Sequence, residues 1–332
     1  MIYSIWELSG GLPLLLTLIL VQILALGLDM LLGEPSRFHP LVGFGRYSDW
    51  LQQRFNSEPQ HQGVGRGLLA WIFAVVPPVI LLTIFLIWVW QLSVFIFWML
   101  NILVLYFTLG LKSLGTHGRL VAEPLASGDL SEARVKVSWL VSRQTGQMDA
   151  GQVSKACIES LLENGNDAVF GALFWFLVAG APGAMLYRLA NTLDASWGYR
   201  NDKFRFFGWW SARTDDWLNW PSARLSALCY SLCGDMSVAF ADWKKADQWR
   251  RNEGRGFASP NAGIVMASGA GALNLGLGGT AVYQGVEVFK PCLGSGRAPT
   301  PEDIAAATGL LHRSVCLFIA FQFLGWFFIW LL

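Results

Sequence analysis

No charged side chain stands between Arg66 and Lys112. At about 1.5 Å per helical residue, that run is roughly twice the ~30 Å hydrocarbon thickness of a bilayer, so two helices must share it. The polar break near Gln91 to Ser93 divides it into helices over 68–90 and 92–111. Pro77 and Pro78 are expected to kink the first, because proline removes a backbone hydrogen bond. Two further apolar stretches, 12–32 and 314–332, are long enough to span as well.

Composition agrees. The 332-residue chain is 54% hydrophobic and 14% charged, against about 25% charged in a soluble domain. A formal net charge of +1 offers no basic surface for nucleic acid. The first basic residue is Arg37, so the charged start of a signal peptide is missing. Five cysteines, at 157, 229, 233, 292 and 316, make no disulfide framework. Cys229 and Cys233, one helical turn apart, read as small core residues more readily than as metal ligands.

The basic residues set topology. Residues 33–67 carry four arginines and 112–168 carry Lys and Arg, and a tight hairpin between them puts both on one side, which the positive-inside bias makes cytoplasmic. Residues 191–217 and 236–261 are basic too. A single crossing by 169–190 would send its two basic flanks to opposite sides. That stretch contains Gly180, Pro182 and Gly183, which break helices. A bent, re-entrant or deeply buried helical pair is favoured there; an ordinary span is the alternative, since the charge bias is statistical. The fold expected is all-α: one polytopic helical membrane domain over 1–332, with large cytoplasmic connections and a re-entrant or broken segment at 169–190. Elsewhere, Asp129 or Ser131 should cap a helix, another should run over 152–162, and Gly- and Ala-rich 262–280 should form a closely packed helix.

No phosphate-binding Walker loop, HExxH or GxSxG occurs, and Gly269-Ala-Gly271 lacks a preceding strand. A dense polar set flanks the apolar elements instead. Lys155, Glu159 and Glu163 recur at helical spacing, followed by Asn164 and Asp167. Asn191 and Asp194 come next, then Arg200-Asn201, Arg213 to Asp216, and Asn219 to Arg224. Carboxylates with amides suit Mg²⁺, and arginines suit phosphates or carboxylates. Together they point to phosphoryl chemistry with a divalent cation. Taken singly, each is as well explained by pairing or solvation, Glu159 and Glu163 included.

These residues resemble the adenosylcobinamide-phosphate synthase family of cobalamin biosynthesis, CobD/CbiB. LDMLLGEPSRFHPLVGFGR (28–46) looks like its opening signature. GDLSEARVKVSWLVSRQT (128–145), ACIESLLENGNDAVFGALFWF (156–176), NTLDASWGYRNDKFRFFGWWSARTDDWLNWPSARL (191–225), SPNAG (259–263) and LGGTAVYQG (277–285) follow in the family's order. Gln144 stands where the family usually has Asp, which puts a metal role there in doubt, and Ala172 stands where Pro is usual.

The resemblance implies an ATP-dependent ligase that joins adenosylcobyric acid to (R)-1-amino-2-propanol O-phosphate, or a related aminoalcohol, through an amide. It also implies Mg²⁺, an inner-membrane location and a cytoplasmic active site, with the lipid bilayer and other late cobalamin-biosynthesis membrane enzymes as partners. Such ligations activate a carboxylate as an acyl phosphate before amine attack, so orientation supplies much of the rate. On this footing Glu163, Asp167, Asp194, Asp215 and Asp216 are candidates for Mg²⁺ binding or amine deprotonation, with Glu163, Asp194 and Asp216 assigned to the metal. Arg143, Arg200, Arg213 and Arg224 would take phosphates, with Asn164, Asn191, Asn201 and Asn261 orienting them. His39 would lie near the nucleotide or cap its loop. Competing readings are an AmpE-like signalling protein and a non-catalytic corrinoid scaffold. A transporter is disfavoured, because the 66–112 interval carries no ionisable group within its spans.

Overall fold

The computed structural model describes residues 14–35, 39–56, 63–199, 201–252, 259–283, 286–288 and 291–331. The chain forms α1 (Leu14–Leu32), α2 (Pro40–Phe55), α3 (Gly63–Leu92), α4 (Val94–Thr108), α5 (Leu111–Ala126), α6 (Leu130–Ser138) and α7 (Ala150–Gly165). A π-helical turn, Asn166–Phe170, leads into α8 (Gly171–Trp197), followed by α9 (Trp209–Leu232), α10 (Met236–Asn252) and α11 (Ala262–Ala272). Four short strands follow: β1 (Leu277–Gly278), β2 (Ala281–Tyr283), β3 (Val286–Val288) and β4 (Cys292–Leu293). The last helix is α12 (Glu302–Leu331). The protein is a polytopic helical membrane protein. Among the described residues, five helical stretches are long and apolar enough to cross a membrane: Leu14–Leu32, Gly63–Leu92, Val94–Ala126, Ala150–Trp197 and Glu302–Leu331.

The residues divide into two compact units. The first comprises Met1–Gly110, Gly171–Asn219 and Gln322–Leu332. Its α8 packs against α1, α2, α3 and α4, and its core gathers Phe44, Leu51, Ala74, Leu193, Trp197 and Phe207. The break in the charge-free run falls at Ser93, whose side chain caps α4 by accepting from Ile96 N at 3.4 Å. Pro77 and Pro78 lie inside α3, which runs on through them as one helix. Polar side chains in apolar helices must satisfy one another. Gln22 and Gln322 do so reciprocally, at 2.8 and 3.1 Å.

The broken segment expected at 169–190 is present, with its break at Ala179 and Gly180. Gly180 has φ 63° and ψ −156°, a region that only glycine occupies without strain. Pro182 lacks an N–H, so it suits the first turn of the restarted helix. The Ala181 N–H has no helical acceptor and donates to Asn101 Oδ1 at 3.2 Å, while Asn101 Nδ2 donates to Phe97 O at 2.9 Å. A buried asparagine on α4 thus caps the break, which is how irregular backbone is tolerated at membrane depth.

The second unit comprises Leu111–Phe170 and Trp220–Phe321. Here α11, buried along its whole length, packs against α7, α10, β1 and β4. Its small residues permit that approach. It is shorter than the helix expected over 262–280. Asn274 turns to φ 54°, its N–H reaches Gly271 O, and the Leu275 N–H reaches Ala270 O at 2.9 Å. This is a Schellman stop, with asparagine where glycine is usual. Asp129, not Ser131, caps α6. The helix expected at 152–162 extends to Ala150–Gly165, because Asp149 and Gln152 form a capping box at its start. β1 pairs antiparallel with β4, and β2 with β3.

Candidate functional site

The predicted site residues fall into two groups, one in each unit. In the first unit, Asp215 on α9 is buried. Its Oδ1 accepts from Asn191 Nδ2 of α8 at 3.1 Å, and its Oδ2 from Asn219 Nδ2, one turn along α9, at 3.0 Å. Asn219 Oδ1 in turn accepts from the Tyr187 hydroxyl at 2.7 Å. Burial pushes the Asp215 carboxyl up to about 6, against a usual Asp near 3.9. The two amide bonds oppose that rise, and the neighbouring Asp216 charge adds to it.

Arg213 Nη1 lies 3.7 Å from Asp216 Oδ2, and its guanidinium stacks 5.7 Å over the Trp209 ring. Asp194 stands against Gly198, where a Cβ would collide with its carboxylate. The Asn201 side chain accepts from Phe204 N at 3.0 Å and folds its own loop. His39 caps α2 through Nδ1, accepting from Leu41 N at 3.2 Å, and its ring meets Phe107 edge-on. Burial, the largest influence, lowers its pKa. Arg200 lies outside the described residues.

In the second unit, Arg143 Nη2 donates to Glu159 Oε2 of α7 at 2.5 Å, with both side chains buried. Glu159 Oε1 accepts from the Gly278 N–H at 2.7 Å, and Lys155 Nζ donates to Gly278 O at 2.7 Å. One residue of β1, Gly278, is therefore clamped through both its N–H and its C=O by an acid and a cation one helical turn apart. Gly278, at φ 74°, has no room for a Cβ against Pro291 O. A cavity of about 510 Å³ opens beside the clamp, lined by Arg143, Gln144, Thr145, Gly146, Gln147, Met148, Gln152, Lys155 and Thr280.

Asn164 Nδ2 donates to Ser160 O and Oγ, both at 2.9 Å. Asp167 lies in the π-turn, where its Oδ1 accepts from Asn166 Nδ2 at 3.0 Å. Such turns recur at functional sites. Here the Asn166 N–H turns to Glu163 O, and the buried Tyr230 hydroxyl donates to Leu162 O at 3.1 Å. Arg224 Nη1 donates to Asn261 Oδ1, and its guanidinium stacks 4.7 Å over Trp220.

The structure thus joins Asn191 with Asp215, Arg213 with Asp216, and Arg224 with Asn261. Tyr187, Asn219, Lys155, Glu159 and Thr280 complete the two sites and were not among the predicted site residues. For Glu159 the one available signal was its helical spacing from Lys155. Among the described residues no three His, Cys, Asp or Glu stand together as a metal-holding group. Cys229 and Cys233 are free thiols.

Comparison with known proteins places these sites in a family. The family model described as CobD/Cbib protein matches residues 22–311. The chain is 49% identical over 304 residues to a cobalamin biosynthesis protein CobD from Stutzerimonas stutzeri (strain A1501), covering 91% of this chain and 96% of that protein. It is 48% identical over 303 residues to the protein of that name from Chromobacterium violaceum, covering 90% and 93%. A third, from Halalkalibacterium halodurans, is 34% identical over 300 residues, covering 90% and 93%. No solved structure matches. The match spans every described element from the middle of α1 to the first half of α12, and both polar sites lie within it: the chain belongs to the CobD/Cbib protein family.

Proposed function

We propose that this protein acts in cobalamin biosynthesis as an ATP-dependent amide-forming ligase. It would attach (R)-1-amino-2-propanol O-phosphate, or a related aminoalcohol, to adenosylcobyric acid and give adenosylcobinamide phosphate. The observation that carries this reading is the family match over residues 22–311, which takes in both polar sites. In the reaction the corrinoid carboxylate receives a phosphoryl group from ATP, releasing ADP. The amine then displaces phosphate, and its proton passes to a base.

Asp215 suits that last task. A base works best with a pKa near the working pH, and burial raises this carboxyl to about 6. Arg143, Arg200, Arg213 and Arg224 would take phosphate oxygens through forked donors. Asn164, Asn191 and Asn261 would orient the bound groups. Mg²⁺ takes one or two carboxylates and completes its shell with waters and phosphate oxygens. Asp194 and Asp216 in the first unit, or Glu163 in the second, would supply that share. Charge on the transferring phosphoryl group is what a bound Mg²⁺ would neutralise. The basic loops put both sites on the cytoplasmic side in this reading, by the positive-inside bias.

The test is turnover by the detergent-purified full chain, given ATP, Mg²⁺, adenosylcobyric acid and the phosphorylated amine. Amide product with matching ADP release is expected. Folded protein that forms no amide with any of the related aminoalcohols, phosphorylated or not, would refute the reading.

A further inference from the structure

We infer that the cavity beside Lys155 and the Gly278 turn is a phosphate-binding site, in which Lys155 and Arg143 meet the ligand and Glu159 positions them. Naming phosphate compounds as ligands rests on the ligase reading; the existence of an anion site does not.

Two cations and no acid are among the described lining residues. The acid that neutralises one cation, Glu159, lies behind the wall, with one oxygen on Arg143 and the other on the Gly278 N–H. The described lining, counted together with Glu159, therefore carries one positive charge in excess. Arg143 reaches Glu159 through Nη2, and a guanidinium has five donors in a rigid fork. Lys155 uses one donor on Gly278 O of the three an ammonium carries. The rest of the wall supplies neutral polar groups: Gln144, Gln147, Thr145 and Thr280. Fixed cations with hydroxyls and amides suit a tetrahedral oxyanion, which offers acceptors in several directions. A volume of about 510 Å³ falls within the ordinary range for small-molecule sites. The start of α7 contributes no open anion site, because Asp149 and Gln152 already cap it.

Two phosphate compounds belong to the proposed reaction, the nucleotide and the phosphorylated amine. Titration calorimetry on the detergent-purified full chain separates them, with ATP, the aminoalcohol phosphate and inorganic phosphate as probes. Lys155→Ala should weaken one of the two compounds, and inorganic phosphate, on the order of tenfold to a hundredfold. Lys155→Arg should keep most of the affinity. Thr280 is exposed at the rim, so Thr280→Trp should narrow the mouth and weaken the same compound. It decides alone if Lys155→Ala fails to fold. The compound that loses affinity is the occupant. Unchanged affinity of both variants for both compounds overturns the inference. So does a loss confined to adenosylcobyric acid, which carries the carboxylate and no phosphate. Lys155-dependent binding without amide formation would keep this site and sink the ligase reading. Amide formation with binding that Lys155→Ala leaves unchanged would do the reverse.

Discussion

Glu159 and Asp215, buried carboxylates in different units, are neutralised in different ways. Glu159 sits against a cation and a backbone N–H. Asp215 sits between two asparagine amides. A carboxylate facing a guanidinium meets an opposite charge as part of the architecture. One facing neutral donors pays the desolvation of its charge with dipoles alone, and burial raises its pKa to about 6. The first arrangement suits a wall, and the second suits a group that must take up and release a proton. Sequence treats them alike, since each is an acid beside amides and arginines in a membrane protein.

The largest effect should come from breaking the ion pair. Glu159→Ala leaves Arg143 buried without its counter-charge and strips the Gly278 N–H of its acceptor. Loss of one partner of a buried pair costs about 3–5 kcal/mol. Chemical unfolding of the detergent-purified variant should show a loss of that size. Glu159→Ala combined with Arg143→Met should recover part of it, because the stranded charge is then gone. Equal instability of the single and double variants would mean that the Gly278 contact, rather than the pair, does the holding.

The next effect is one of pH. The folded pKa of Asp215 lies above its unfolded value, so its stabilising contribution is complete below about pH 4 and is lost as pH rises through about 6. Asp215→Asn cannot ionise. Relative to this variant, the parent should lose on the order of 3 kcal/mol between pH 4 and pH 7. The check is the pH dependence of the difference in unfolding free energy between the two proteins. A flat difference would mean that Asp215 does not titrate there and has no advantage over Glu159 as a proton acceptor. Asp215→Asn should also abolish ligation at pH 7 under the proposed function.

What was legible in the sequence follows from the range of the interactions. Ser93 marks the division between α3 and α4, because capping and hydrophobic length are local. Gly180 and Pro182 announce the break in α8 for the same reason. Asn101, which caps that break from α4, is 80 residues away and carries no local mark. The end of α11 was hidden because Leu and Gly continue past it, and the left-handed turn at Asn274 stops the helix. The site shows the same division. Asn191, Asp215 and Arg224 were recognisable from residue type and motif. The burial of Glu159 depends on a cation 16 residues upstream and a peptide group 119 residues downstream, and neither spacing is a helical one.

The smallest expected effect on stability gives the sharpest test of role. Arg213 and Asp216 form an ion pair three residues apart, at 3.7 Å, with the Arg213 side chain 47% exposed. Exposed pairs of this kind contribute about 0–1 kcal/mol, because water screens the charges and holding two long side chains costs entropy. Stacking of the guanidinium over Trp209 adds little more at an exposed position. Arg213→Ala should therefore shift unfolding by about 1 kcal/mol or less, well below the change from Glu159→Ala. If Arg213 takes a phosphate oxygen, the same substitution should lower kcat/KM by a factor on the order of ten to a hundred, the loss of one charge-assisted bond. Lysine would restore only part of that, since it offers no fork. Measured side by side, unfolding and turnover then separate the two kinds of arginine. Arg143, paired with Glu159 and lining the cavity, should count in both measurements, and Arg213 in turnover alone. Unchanged turnover in Arg213→Ala would remove that residue from the site.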